Sequence, residues 1–446
     1  MSQDERRNQF FLLSLGCSKN TVDSESMAAL LGQAGFLGCG DPEDAEILIV
    51  NTCGFIEAAR QESYSALRDL AASKQPEQLL IAAGCLSQRY GQDLAQEVPG
   101  LDGVIGTRRW MDIVPFVRDL RQRSHPQPLY HLPAEALTVG RDERGIHRVA
   151  IQGSSAYLKI SEGCRRPCAF CAIPQIKGTL VSRPAETIID EARQLQEVGV
   201  KEIIIISQDS TDYGHDLGIR NGLSKLLNDL VQAVPDIPWL RIMYAYPGYV
   251  TDELIETMAS HPQILPYLDI PLQHGHRETL KRMRRPANLE WVYKTIGKLR
   301  DAMPDIAIRT TFIVGYPGET DEEFEGLKGF VRDLRFDRVG VFTYSYEEST
   351  PSATVSWQVP EETKSSRKAE LLELQRQISL ERNQAQVGKT LPILVEGYGD
   401  GLSLGRSYRD APEVDGLVII PAELPVGSLV PIQIDGAMVY DLTGVP

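Results

Sequence analysis

The sequence predicts an α/β protein in three parts: an amino-terminal parallel-sheet α/β domain, a central open barrel of six βα units, and a small closed carboxyl-terminal β-barrel. Three observations predict it. A short β-forming run, a cysteine and a helix-like segment recur in that order around Cys17, Cys53 and Cys85. Six further strand signals then alternate with helical periodicity. The tail finally changes to short strands punctuated by glycine and proline. A chain of 446 residues holds about three domains of ordinary size.

The first domain is read over residues 8–123. Phe11–Leu15 leads into Gly16-Cys17, Ile47–Val50 into Asn51-Thr52-Cys53-Gly54, and Leu79–Ala82 into Gly84-Cys85. Strands alternating with helices imply a parallel sheet. Loops at the carboxyl ends of such strands share one crevice, so cysteines distant in sequence are expected to converge at one edge. A lone free cysteine is ordinarily a small buried hydrophobe; three at one topological position are read as a site. Cys39, in Gly38-Cys39-Gly40, lacks that context and is read as structural. Residues 124–149, with Pro126, Pro128, Pro133 and the cluster Arg141-Asp142-Glu143-Arg144, are read as a linker.

The central unit is read over residues 150–381. Its strands are expected at Ala156–Ile160, Glu202–Ile206, Trp239–Ala245, Tyr267–Ile270, Ala307–Val314 and Arg338–Thr343. Helices are expected at Ala185–Val198, Leu223–Val234, Asp252–Ala259, Leu289–Ala302 and Glu322–Leu334, with a charge-laced helix at Glu361–Gln386 leading out. Sites in parallel barrels lie at the carboxyl-terminal face. The loop after the first strand reads CRRPCAFC over residues 164–171, which sets Cys164, Cys168 and Cys171 at CxxxCxxC spacing. Cubane ferredoxin sites normally use four thiolates, yet Ala172, Ile173 and Pro174 follow here. A cube held by three leaves one iron open to chelate a small molecule. A zinc knuckle or a disulfide is the competing reading; zinc asks for four ligands, and the nearest histidines are His147 and His215.

This loop, with the aromatic Phe170 before its last cysteine, resembles the radical SAM superfamily. The resemblance implies that the open iron binds the amino and carboxylate groups of S-adenosylmethionine. One electron then cleaves the sulfonium to a 5′-deoxyadenosyl radical, chemistry that belongs to the cofactor. Phe170 and other loops on the same face are the cofactor-binding candidates. Gln208 and Asp209 follow the second strand, where many relatives place a glycine pair for the methionine amine. Gln273 follows the fourth and is expected near the ribose. Gly315, Pro317 and Gly318, after the fifth, resemble a turn that packs near adenine. The run Lys281-Arg282-Met283-Arg284-Arg285 is read as a helix end favoured by the helix dipole. A second reading has it neutralise a carboxylate or backbone phosphates at the barrel mouth.

Two three-cysteine sets, together with the phrases GCSKN, NTCGF and AAGCLSQRY, resemble the methylthiotransferase family. The resemblance implies that Cys17, Cys53 and Cys85 hold a second 4Fe-4S cluster, which carries the sulfur to be inserted. The tail, residues 382–446, is expected to fold as an OB-like barrel from strands at Leu391–Glu396, Leu402–Ser407, Leu417–Ile420, Val430–Ile434 and Met438–Leu442. It resembles a TRAM domain, ordinarily an RNA-binding module. Its four basic and eight acidic residues leave a net −4, whereas phosphate binding is driven by Lys and Arg. RNA binding by the tail is therefore not expected; a basic protein is, with Asp410, Glu413 and Asp415 as the acidic cluster that meets it. GRSYRDAPEVDG, residues 405–416, resembles the RimO branch of the family. That branch methylthiolates an aspartate of ribosomal protein S-twelve in the small ribosomal subunit.

Composition agrees with a cytoplasmic enzyme. Nothing approaches the roughly 18 consecutive apolar residues of a membrane span, and the opening apolar run is too short for a secretory signal. Thiolate-held clusters need a reducing compartment. A net charge of −15 argues against nucleic acid as the main partner. The expected activity is replacement of an aspartate β-carbon hydrogen by a methylthio group. The Cys164, Cys168 and Cys171 cluster would generate the abstracting radical, and a second S-adenosylmethionine would supply the methyl group. No catalytic side chain beyond the cysteines is expected, because an unactivated C–H is too weak an acid for a general base. A low-potential donor such as flavodoxin or ferredoxin is implied. The alternatives are a tRNA methylthiotransferase acting on a modified adenosine near the anticodon, which would want a basic tail, and a non-catalytic iron–sulfur sensor.

Overall fold

The computed structural model describes residues 7–122, 127–133 and 144–446. The first sheet has six parallel strands in the spatial order Leu37–Gly38, Gln9–Ser14, Ile47–Thr52, Leu79–Gly84, Gly103–Gly106 and Leu129–His131. Ile47–Thr52 is buried along its whole length, as a strand covered on both faces must be. Helices Ser18–Gln33, Glu57–Ser73 and Cys85–Glu97 follow the three cysteine-bearing turns. Leu129–His131 corrects the sequence reading, which assigned it to a linker. Three residues set among prolines are too short to carry a pattern of their own, and the pairing with Gly103–Ile105 is a contact only the sheet supplies.

The central sheet holds the six expected parallel strands, at Ser155–Lys159, Glu202–Ile206, Trp239–Ile242, Ile264–Asp269, Ala307–Val314 and Arg338–Thr343. Val149–Gln152 adds an antiparallel edge strand next to the first. Residues alternate between two cores. Leu158, Ile203 and Ile205 meet the outer helices; Tyr157, Ile204 and Tyr267 point to the concave side. Helix Asp321–Leu334 starts with a capping box between Thr320 and Glu323.

The tail closes into a five-stranded barrel. One expected strand shifts: the Met438 amide donates to the Asp441 carbonyl in a turn, and the strand begins at Leu442. Leu391, Ile393, Leu394 and Tyr408 pack with Tyr157, Ile204, Trp239 and Tyr267, so the tail covers the concave side of the central sheet. Ion pairs fasten it near strand starts: Arg406 to Glu202, Arg409 to Asp337, and Asp410 to Arg338. Here the expected acidic docking cluster breaks up. Asp410 is buried, and the Asp415 carboxylate accepts from Tyr267 at 2.7 Å and lies 3.4 Å from Arg309. Those two acids join domains; Glu413 alone of the three is exposed.

Candidate active site

Register puts the dispersed cysteines together. Ser14 pairs with Asn51, and Thr52 with Gly84, so the three strands end side by side. Cys17 precedes helix Ser18–Gln33, Cys53 follows its strand directly, and Cys85 opens helix Cys85–Glu97. Backbone economy makes this possible. Gly16 lies at φ +93°, where an added Cβ would crowd Cys53, and Gly84 lies at φ +97° against Thr52. Asn20 ties the turns, donating to the carbonyls of Leu15 and Thr52 and accepting from the Cys85 thiol. Burial pushes the Cys85 thiol up to about 12, and the charges of Cys53 and Cys17 add to the shift.

The CxxxCxxC loop follows the first central strand through the short pair Ser161–Glu162 and Val181–Ser182. The Cys164 amide donates to Gly178, and the Arg166 amide donates to the Cys164 sulfur at 3.4 Å. Arg285 reaches the Cys168 sulfur at 3.5 Å, and Tyr246 stands 3.7 Å from it. Burial pushes Cys164 up to about 11 and Cys171 up to about 12. Among the described residues, no three His, Cys, Asp or Glu side chains surround one point closely enough for a single ion. A four-iron cube spreads its thiolates wider than one ion's shell. A set of three sulfur donors suits such a cube, whereas tetrahedral zinc takes four ligands.

The amino-terminal set borders the segment that follows the CxxxCxxC loop. Cys85 packs on Ala172 and Ile176, immediately beyond Cys171, and Arg108 donates to the carbonyls of Ile176 and Gln175. Beneath them lies a buried network that the sequence reading missed. Asp23 accepts from Lys159 at 2.5 Å and Lys177 at 2.8 Å, and Glu162 accepts from Lys159 at 2.7 Å. These four residues come from the helix after Cys17, the first central strand and both sides of the CxxxCxxC loop. Two acids and two lysines balance, which is what permits their burial. Lys159, a charge inside an apolar strand, was the available signal.

The other predicted residues gather round the same face. Phe170 packs with Met283, Tyr316 and Tyr344. Gln208 donates to Glu162 at 2.9 Å, and its carbonyl oxygen is buried with no partner among the described residues. Asp209 is buried and engaged by Arg166 at 2.6 Å and Thr211 at 2.6 Å. Gln273 sits at φ +73° and bonds through its backbone to Thr311 and Ile313, a conformation that non-glycine residues adopt only under local constraint. Gly315, at φ +68°, leaves no room for a Cβ beside Lys364. Gly318 donates to the Trp357 carbonyl, and Pro317 lies between these glycines. Arg285 and Tyr246 were missed as individuals; Arg285 was visible only as one of a basic run.

Comparison with known proteins agrees with this layout. Family models match in chain order: Uncharacterized protein family UPF0004 over residues 9–106, the Radical SAM superfamily over 158–331 and the TRAM domain over 387–446. Among solved structures, the radical S-adenosylmethionine methyltransferase TsrM from Kitasatospora setae, with cobalamin and a 4Fe-4S cluster bound, superposes with a TM-score of 0.55. It does so at 15% identity, over 89% of this chain and 80% of that one. The cobalamin-dependent radical enzyme OxsB gives a TM-score of 0.51 at 11% identity, over 83% of this chain and 62% of that one. These likenesses concern the fold. Sequence relatives are much nearer. Ribosomal protein uS12 methylthiotransferase RimO of Chloroflexus aurantiacus is 47% identical over 98% of this chain and 99% of its own. The same-named protein of Roseiflexus sp. is 44% identical over 98% and 96%. At that identity over nearly the full length, the chain belongs to the RimO family of radical SAM methylthiotransferases.

Proposed function

We propose that the protein inserts a methylthio group at the β-carbon of an aspartate of ribosomal protein uS12. The observation that supports this reading is the packing of Cys85, from one cysteine set, against the helix that follows Cys171 of the other. In this reading Cys164, Cys168 and Cys171 hold one 4Fe-4S cluster, and Cys17, Cys53 and Cys85 hold a second. The first, together with S-adenosylmethionine, supplies one-electron cleavage of the sulfonium, and the second supplies sulfur. The chain's own residues do the rest. Phe170, Gly315, Pro317 and Gly318 shape the cofactor's berth, and the small glycines let backbone approach it. The unpartnered Gln208 carbonyl and the strained Gln273 are polar groups left to meet it. Arg285 and the Arg166 amide place donors on the Cys168 and Cys164 sulfurs, hydrogen bonds of the kind that tune a thiolate-held cluster.

Substrate choice is assigned to the tail. With Asp410 and Asp415 turned inward and Arg406 and Arg409 buried, its solvent face carries Glu396, Asp400, Glu413, Glu423 and Asp435. Lys389 is its exposed cation and pairs with Asp305. That surface suits a basic protein and opposes a polyphosphate. The test is mass spectrometry of ribosomal proteins and tRNA from cells with and without the gene. Loss of the methylthio mark from uS12 alone is expected; loss from tRNA with uS12 unaffected would refute the assignment. Among the described residues, no helix is long and apolar enough to cross a membrane.

A further inference from the structure

We infer that the exposed cations Arg277, Lys281 and Arg284 form the docking surface for a small acidic one-electron carrier protein. The inference rests on the proposed reading of the CxxxCxxC loop as a redox centre. Helix Arg277–Arg282 runs into a turn that bonds directly to that loop. The carbonyl of Met283 accepts from the Ala169 amide at 2.9 Å, between Cys168 and Cys171. The next residue but one, Arg285, donates to the Cys168 sulfur. Arg284 stands between them at φ +53°, which turns Met283 and Arg285 inward and leaves Arg284 outward. Outside surface and cysteine loop are thus one residue apart along the backbone.

The charge at this point runs against the rest of the molecule. The chain carries a net −15, so an acidic partner is repelled by most of its surface and drawn to a local basic patch. Arg282 is tied to Glu323, and Arg285 is buried. Arg277 and Arg284 have no ion-pair partner among the described residues, whereas Lys281 shares Glu278 at 2.6 Å in an exposed pair. Arg277 and Lys281 also line an open groove of about 620 Å³ with Asn288 and Glu290. Glu290 is itself neutralised by Lys294 at 2.8 Å. An RNA backbone would also be attracted to free arginines, but nothing links phosphate contact to a backbone path ending on Cys168. On docking, the reduced carrier loses one electron and the iron–sulfur centre gains it.

The test compares the wild-type holoenzyme with R277E/K281E/R284E. Flavodoxin, kept reduced by its NADPH-dependent reductase, is the probe. Flavodoxin binding, measured directly by fluorescence titration, should weaken by about tenfold or more and lose most of its salt dependence. Flavodoxin-driven 5′-deoxyadenosine formation should fall in parallel at subsaturating carrier, while dithionite-driven formation stays at the wild-type level. The neutral variant R277Q/R284Q should give an intermediate loss, which guards against a folding defect in the reversed one. Carbodiimide cross-links from Lys281 of the wild-type protein to flavodoxin carboxylates should form without any substitution. Unchanged flavodoxin affinity in the variants, or weakened ribosomal RNA binding with unchanged flavodoxin binding, overturns the docking surface. Failure of the wild-type enzyme to cleave S-adenosylmethionine with dithionite overturns instead the reading of the loop on which the proposal rests.

Discussion

The two cysteine sets reach the same kind of geometry by opposite routes. Cys164, Cys168 and Cys171 lie on one loop, so local spacing alone brings them together. Cys17, Cys53 and Cys85 each end a different strand, and only the register of three neighbouring strands aligns them. A compact site depends on what backs its loop, here Met283, Arg285 and Tyr246. A dispersed site depends on the whole sheet. Sheet register is set by burial and pairing along each strand, so any change that loosens the sheet should blur the dispersed site before the compact one.

The comparison can be broken most sharply at the cysteines themselves. Replacing Cys164, Cys168 and Cys171 by Ala should abolish 5′-deoxyadenosine formation and remove about half of roughly eight bound irons, four per cluster. Iron analysis and chromatography of the product check this, and retained cleavage would refute the assignment of that loop. The same triple change at Cys17, Cys53 and Cys85 should halve the iron yet spare cleavage, while methylthiolated uS12 disappears. Normal product from that variant would make the amino-terminal set merely structural.

Asp23→Ala tests the seam between the sites. It leaves Lys159 and Lys177 buried with Glu162 as their remaining acid, and removing one member of a buried charge network costs about 3–5 kcal/mol. Chemical denaturation should register that loss, with both iron loads lowered together because the network underlies both sets. A variant as stable as the wild type would show that the seam bears no strain from the missing acid.

A pH effect should appear at the tail. Burial alone would push Glu202 up, but Arg241 and Arg406 outweigh it and hold the carboxyl down at about 2. A carboxylate depressed in the folded state contributes stability that is fully present above its unfolded pKa, about 4.3. That contribution, a few kcal/mol at most, is lost as pH falls from there through about 2. Acid titration should therefore loosen the tail from the central sheet, and Glu202→Gln should flatten that response. Smallest of all is the substrate surface. Changing Asp400, Glu423 and Asp435 to Lys should slow uS12 modification several-fold at low salt, with less effect at high salt. Uncoupled cleavage of S-adenosylmethionine should not change, and faster modification after the reversal would sink the electrostatic account.

Legibility tracked locality. Ala307–Val314, Arg338–Thr343 and Leu402–Ser407 form over the very residues expected from their pattern, because alternation or continuous burial writes itself into each strand. Leu129–His131 was lost because its strand character comes from a neighbour and not from its own short sequence. Asp410 and Asp415 were misread as surface acids because sequence counts charge without seeing its partner. In the folded chain Arg338 and Arg309 claim them. Net charge is a property of composition, whereas the exposed charge that a partner meets is a property of packing.

By itself, then, the sequence determined the α/β class, the order of the three parts and which cysteines fall into each of the two sets. Each of those is carried by residue type and short-range spacing. Tertiary structure alone decided that Cys85 rests against Ala172 and Ile176, and that Asp23 bridges Lys159 and Lys177. It alone decided that Arg284 faces outward between two residues turned toward the cysteine loop. Such contacts join residues tens to hundreds of positions apart. Closing loops of that length costs entropy that no local pattern can offset, so only the collective burial of the folded domains brings these groups together.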